Sequence, residues 1–373
     1  MKLWTIIVAA CVLLIADAPA AAHRHGWQVS LVGETGMWGG FREVSSGGPQ
    51  DAWVMRAGLP PLRWNGAEWH GATGKAGPYL VRQAGQGVTW TFTDGPARVD
   101  VRRMAEGRWS RLPIEAESAH VTAAAATGAD DCWAAGLRLS REGMTDGLWH
   151  WEGQAWRPVA APLPISDLAA APDGQVWALS SPGVSNLGYG GERAASILRW
   201  TDGEWLRTPI PAIALPEGGH LELNDLAMPY AGLGYAVGAI TVGGAPLEAV
   251  VLRWDGVAWE RLPHRPPATA YTHVTTDGGS GMWLAAARTG LPGALVRFVD
   301  GSWSQISVLP EGSTHAEVRG WPTFPAPPRC GPRSTPAARA RCLPTGETDD
   351  ADEKRANIRA APVWKYPSRS AML

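Results

Sequence analysis

Six residues of this 373-residue chain stand immediately before short apolar runs: Glu43 before Val44, His120 before Val121, Asp167 before Leu168, Asp225 before Leu226, His273 before Val274 and Glu317 before Val318. Carboxylates and imidazoles brought together suit two kinds of chemistry. They can ligate a divalent cation, or they can move protons as general acid and base. Their other use is structural, because a polar group removed from water needs a partner. Neighbouring backbone or water can supply that partner, and the bond then fixes the register of adjoining elements.

Two further features carry chemistry. If processing follows Ala22, the chain begins His23-Arg24-His25. A third-position imidazole with the free amine and two amides then makes a square-planar site for Cu(II) or Ni(II), and processing after Ala20 abolishes it. The chain also has 21 Trp against 4 Phe and 6 Tyr, an excess that invites a carbohydrate-stacking role. Most of these tryptophans recur at fixed positions of a repeat and are assigned to packing. Trp38, Trp149 and Trp321 fall outside the pattern and are the ligand-stacking candidates. No nucleophile elbow, phosphate loop, zinc-spaced Cys/His cluster or catalytic triad stands out in the sequence.

The elements that position these residues come from the repeat. A phrase of the form R-W-x-x-G-x-x-W occurs at Arg63-Trp64, Arg199-Trp200, Arg253-Trp254 and Arg297-Phe298, with Trp151-Glu152-Gly153 and a weaker copy at Met104 to Trp109. Its turn glycines, 66, 107, 153, 203, 256 and 301, are spaced by 41, 46, 50, 53 and 45 residues. Between copies lies a second phrase, an apolar run, a Gly/Asp turn and an aromatic followed by small apolar residues. Its aromatics are Trp53, Trp90, Trp133, Trp177, Tyr235 and Trp283, with the Tyr79–Trp90 copy a poor match. One unit therefore reads as four short strands, A to D, with Asp-Gly or Asn-Gly hairpins that need positive φ. Solenoid repeats of this length are helical, and these segments lack a 3.6-residue period. A period of about 40–50 residues with four strands per unit is the signature of a β-propeller.

On these phrases the chain resembles propellers of the kelch, galactose-oxidase-like and tectonin-like group. The resemblance is closer still to secreted bacterial propellers with "RWDG…W…P" and "D-x-W-A-x-G" blades. It covers residues 38–320 and implies an all-β fold of six or seven four-stranded antiparallel blades. Because the repeated residues are those that build blades, the resemblance implies no particular activity. The opening A–B pair, Phe41–Val54, is read as lacking its own C–D pair, which predicts a seventh blade completed after Trp303.

The chain divides into a signal peptide (1–22), propeller repeats (27–320) and a Pro/Arg-rich tail (321–373). The signal segment has a charged start, an apolar run too short to span a bilayer and small-residue cleavage sites, so a secreted protein is expected. Where an A–B pair is due, Trp321 opens a proline-rich stretch. A one-nucleotide shift near Gly320 restores the phrase L-A-D-V-P-G-T-A-A-V-W-A with permissible codons, so the tail is read either as frameshifted or as a disordered extension. Cys330 and Cys342 are the pair close enough in sequence for a disulfide in an oxidising compartment, and Cys132 is expected as a buried thiol.

A formal net charge of −2 gives no nucleic-acid footprint. The expected partner is an extracellular protein or glycan, with no membrane span, a monomeric state and no required cofactor. A divalent cation is the cofactor that the ring of acidic and imidazole groups would accept. In such blades the B–C and D–A connections lie on one face, and Leu137–Asp146, Ser180–Ala195 and Ile240–Glu248 are the variable loops there. Three functions fit: a non-enzymatic binding module using that face, a hydrolase, lyase or oxidase working at the channel mouth, or a structural envelope protein.

Overall fold

Short apolar runs, the strand-B ones such as Val176–Ser180 buried on both faces, are separated by turns that include several residues at positive φ and fold as antiparallel strands throughout. The computed structural model describes residues 41–306, apart from 49, 57–58, 72–79, 85–86, 96, 117, 141–142, 181–194, 264–267, 277–280 and 289–290. These residues belong to one compact unit, Met1–Pro327, and a second unit, Pro328–Leu373, lies outside them. His23, His25, Trp38, Glu317, Trp321, Cys330 and Cys342 also lie outside the described residues.

Blade 1 comprises β1 (Phe41–Gly48), β2 (Asp51–Arg56), β3 (Leu59–Trp64) and β4 (Trp69–Gly71). Blade 2 comprises β5 (Leu80–Gln83), β6 (Thr89–Thr93), β7 (Asp100–Ala105) and β8 (Arg108–Arg111). Blade 3 comprises β9 (Ala119–Ala126), β10 (Cys132–Ser140), β11 (Gly143–Trp151) and β12 (Trp156–Pro158). Blade 4 comprises β13 (Asp167–Ala170), β14 (Val176–Ser180), β15 (Ser196–Thr201) and β16 (Glu204–Thr208). Blade 5 comprises β17 (Gly219–Tyr230), β18 (Leu233–Val242), β19 (Ala245–Trp254) and β20 (Trp259–Arg261). Blade 6 comprises β21 (Ala270–Thr276), β22 (Met282–Arg288), β23 (Leu291–Val299) and β24 (Ser302–Ile306). Each blade is one four-stranded sheet in sequence order, innermost strand A to outermost strand D, and the blades stand in a ring as a six-bladed β-propeller.

One expectation is corrected here. The opening A–B pair does have its own C–D pair, because β2 pairs with β3 through Trp53↔Arg63 and Val54↔Leu62. The six R-W phrases therefore complete the six A–B pairs that precede them, and six blades account for the described strands. The poor match around Trp90 nonetheless forms a complete blade.

The C–D turns solve one problem in two ways. Asp202-Gly203 and Asp300-Gly301 place both central residues at positive φ, the hairpin geometry that matches strand twist. In the longer turns an Asx side chain replaces a backbone bond. Asn65 Oδ1 accepts the N–H groups of Ala67 and Glu68 at 2.9 Å, and Asp255 Oδ1 those of Val257 and Ala258 at 2.8 Å. Both forms preserve the same cross-strand rung, Trp64↔Trp69, Trp200↔Trp205 and Trp254↔Trp259.

That rung explains the tryptophan content. The strand-B aromatic of one blade packs against the C–D aromatic pair of the next. Trp90 meets Trp151 and Trp156 at 6.2 and 5.9 Å, Trp133 meets Trp200 and Trp205 at 4.7 and 5.3 Å, and Trp177 meets Trp254 and Trp259 at 5.1 and 5.9 Å. The arginine of the phrase lies over the strand-B ring of its own blade: Arg63 over Trp53, Arg103 over Trp90, Arg199 over Trp177 and Arg297 over Trp283, at 5.2–5.8 Å. In blade 3 His150 takes that place and stacks on Trp133 at 3.9 Å. The phrase thus ties blades 1, 2, 4 and 6 to themselves through Arg, and blades 2 to 5 to their predecessors through Trp.

Candidate functional site

The strand-A residues at the ring are set by register. Counting two residues back from the one opposite the strand-B aromatic gives Glu43, Leu80, Ala123, Asp167, Asp225 and His273. Glu43, Asp167, Asp225 and His273 are thus equivalent. His120 is not, because β9 starts earlier than its apolar pattern suggests and places Ala123 at the ring. The His120 ring pairs instead with Asp94, just past the end of β6.

Register shifts skip one residue just before the ring position in four blades, leaving Arg42, Thr122, Asn224 and Thr272 as bulges. A bulge re-aims the side chain that follows it. It also brings backbone close to the neighbouring strand. A Cβ on Gly238 would lie 1.9 Å from the Glu222 carbonyl oxygen, and one on Gly136 the same distance from that of His120, so only glycine fits there.

The re-aimed groups bond from blade to blade. The Asp167 carboxyl accepts the Leu226 N–H of blade 5 at 3.1 Å, and the Asp225 carboxyl accepts the Val274 N–H of blade 6 at 2.8 Å. Asp225 also accepts the adjacent Leu226 N–H at 2.9 Å, and the bulged Asn224 donates to the Tyr271 carbonyl at 2.8 Å. Across blades 1 to 3 a cation makes the link: Arg82 pairs with Glu43 and donates from Nε to the Ala124 carbonyl at 2.7 Å. His273 Nδ1 lies 3.1 Å from Thr272 Oγ1.

The ring is electrostatically loaded. Burial, reinforced by the neighbouring Asp225 charge, pushes the Asp167 carboxyl well above the usual carboxylate range. Burial also pushes Asp225 up to about 6, while the Val274 N–H and a hydrogen bond from Asp167 act to hold it down. Both carboxyls are thus held above the usual range, Asp167 the more strongly, with a hydrogen bond between them. Burial lowers the Arg82 pKa, and the carboxylates of Asp167 and Asp225 oppose that shift. Positive charge is thus supplied to the ring by a side chain of the protein itself. Among the described residues no group of three or more His, Cys, Asp or Glu is arranged to hold a metal ion.

Of the ligand-stacking candidates, Trp149 is described, and it is only 4% exposed. Its indole covers Gly147 and belongs to the core between blades 2 and 3, so its faces are occupied by packing. Among the described tryptophans the exposed one is Trp109, at 47% exposure, in the weaker copy of the repeat phrase. The substitution of Met104 for the usual strand-C aromatic was the sequence signal for it. Arg82 was also missed, since nothing in the phrase marks that position.

In blades 3 and 5 the B–C connections are built from strands. Leu137–Asp146 and Ile240–Glu248, expected as loops, extend the hairpins: β10 and β11 pair out to Ser140↔Gly143, and β18 and β19 out to Val242↔Ala245. The turn at Gly243-Gly244 has both residues at positive φ. Ser180–Ala195 lies mostly outside the described residues. Leu59, Met144, Val242 and Leu247, four of the exposed large hydrophobic residues, sit on the B–C ends of blades 1, 3 and 5, with Leu247 at 59% exposure.

No family model matches the chain, and no curated protein matches it. Solved structures with a similar fold include YCF48 from Cyanidioschyzon merolae, at 15% identity and TM-score 0.46, covering 70% of this chain and 80% of that one. A fungal lectin from Aleuria aurantia, a six-bladed propeller, matches at 12% identity and TM-score 0.44 over 73% of this chain and 96% of that one. The Neurospora crassa Pan2 WD40 domain matches at 11% identity and TM-score 0.47 over 74% and 81%. At these identities the likeness concerns fold. Among the described residues no helix is long and apolar enough to cross a membrane.

Proposed function

We propose that this chain is an exported, non-enzymatic binding module that engages a protein or glycan with the face carrying its B–C hairpins. The observation that carries this reading is that Met144, Val242 and Leu247 stand exposed on two strand-built projections of that face. Large apolar side chains held in solvent on rigid hairpins suit recognition, because little conformational freedom is lost when they are covered. Export rests on the segment Met1–Ala22, and N-terminal sequencing of protein recovered outside the cell should start just after Ala20 or Ala22.

Chemistry at the channel is the weaker reading for this geometry. Asp167 and Asp225 already serve as acceptors for the amides of the following blades, so their lone pairs are engaged in holding blades 4 to 6. The proposed function is tested by screening the mature protein on glycan and extracellular-protein arrays beside two variants. Met144→Asp with Leu247→Asp should abolish the ligands that are found. Val257→Asp, on the opposite face and at 85% exposure, should keep them. Ligands retained by the hairpin variant would overturn the assignment.

A further inference from the structure

Blade 2 carries an unusual outer surface on the side facing blade 1. Along β7 and β8 the rungs are Arg102↔Arg111 and Met104↔Trp109, adjacent on the same side of the sheet. Side chains two residues apart on one strand are about 7 Å apart, so both guanidinium groups lie one rung from the Trp109 ring. That side is the one toward blade 1, since Trp109 meets Trp53 at 6.3 Å and 90°. Val101 and Arg103, of opposite parity, face blade 3, Val101 in its core and Arg103 bonded to Ala129 and Asp130.

Two observations set this rung pair apart. Trp109 is exposed, whereas the corresponding Trp205 and Trp259 are buried. In addition, the two arginines are held in place: Asp100 accepts from Arg102 Nε at 3.1 Å with one oxygen and from Arg111 Nε with the other. Those two hydrogen bonds and the guanidinium charges hold the Asp100 carboxyl below the usual range despite its partial burial. One carboxylate thus neutralises half of the positive charge and engages the Nε positions. The terminal nitrogens of two exposed guanidinium groups remain the groups best placed to meet an incoming anion.

A flat indole beside two oriented guanidinium groups is complementary to a ring that has an apolar face and a carboxylate on its edge. We propose that this rung pair is a binding subsite for an acidic saccharide, a uronate residue whose ring stacks on Trp109 and whose carboxylate is received by Arg102 and Arg111. The subsite lies on the outer rim at the seam of blades 1 and 2, apart from the hairpin face, and does not depend on the reading given for that face.

The test is titration of the full mature chain with oligogalacturonate, followed by tryptophan fluorescence and calorimetry, with neutral dextran oligomers and polyglutamate as comparisons. Oligogalacturonate should bind, and salt should weaken the binding. Trp109→Ala should lower affinity at least about tenfold. Arg102→Gln with Arg111→Gln should remove the preference for acidic over neutral sugar. Both variants alter exposed side chains, and unchanged thermal unfolding will show that they are folded. Absence of oligogalacturonate binding, equal binding of dextran, or unaltered affinity in Trp109→Ala would overturn the proposal. Polyglutamate competing as well as oligogalacturonate would overturn the saccharide assignment in favour of an acidic peptide.

Discussion

At the scale of the residue, the elevation of the Asp167 and Asp225 carboxyls has a definite consequence for stability. Both carboxyls are raised in the folded protein, Asp225 to about 6, above an unfolded value of about 4. The folded state therefore holds protons that the unfolded chain releases. The resulting stabilisation is complete below about pH 4 and is lost as pH rises through about 6 and beyond. We predict that the urea midpoint falls between pH 5 and pH 8, and that Asp167→Asn, which mimics the protonated partner, flattens this dependence. An unchanged pH slope in that variant would remove the pair from the explanation. Asp225→Ala should cost about 1–3 kcal/mol, because the Val274 N–H loses its acceptor. The sequence pattern located Glu43, Asp167, Asp225 and His273 because they precede the apolar start of strand A. It misplaced His120 because an alanine-rich strand offers no contrast to mark where it begins. Arg82 was invisible for a different reason, since its partners Glu43 and Ala124 are contributed by two other blades.

At the scale of the element, the repeat phrase held nearly all of the information needed. Asn-Gly and Asp-Gly dictated the C–D turns, and the W-x4-W spacing dictated the rung, because both are local. The B–C connections were misread as loops since Gly143, Gly243, Gly244 and Pro246 interrupt the apolar runs there, which in sequence looks like irregular chain. Gly136 and Gly238 could not be read either, as their close approach depends on a bulge in the neighbouring strand. Gly238→Ala should therefore destabilise the protein by about 1–3 kcal/mol, measured by thermal or urea unfolding, through backbone displacement against Glu222. Trp177→Ala, which empties a site between blades 4 and 5 lined by Trp254 and Trp259, should cost about 3–5 kcal/mol. If that variant unfolded within 1 kcal/mol of wild type, an order typical of exposed sites, the inter-blade aromatic contacts would not be the main cement.

At the scale of the whole molecule, six blades divide two tasks between the two ends of each strand. The C–D ends close in tight turns, while the B–C ends of blades 3 and 5 extend as hairpins that expose Met144, Val242 and Leu247. The fold was legible because periodicity is a global property written locally six times over. The face proposed for binding was legible only as a location, because the residues that repeat build blades and encode no ligand. The subsite proposed at Trp109, Arg102 and Arg111 falls where the repeat phrase degenerates, Met104 standing in place of the strand-C aromatic, and leaves a tryptophan exposed. The central claim, that the hairpin face is the recognition surface, is tested most directly by site-specific photo-crosslinking in the producing cells. A photoreactive amino acid in place of Leu247 should yield discrete crosslinked species, and one in place of Val257 should yield none. Identical patterns from the two positions, or crosslinks from Val257 alone, would contradict the account.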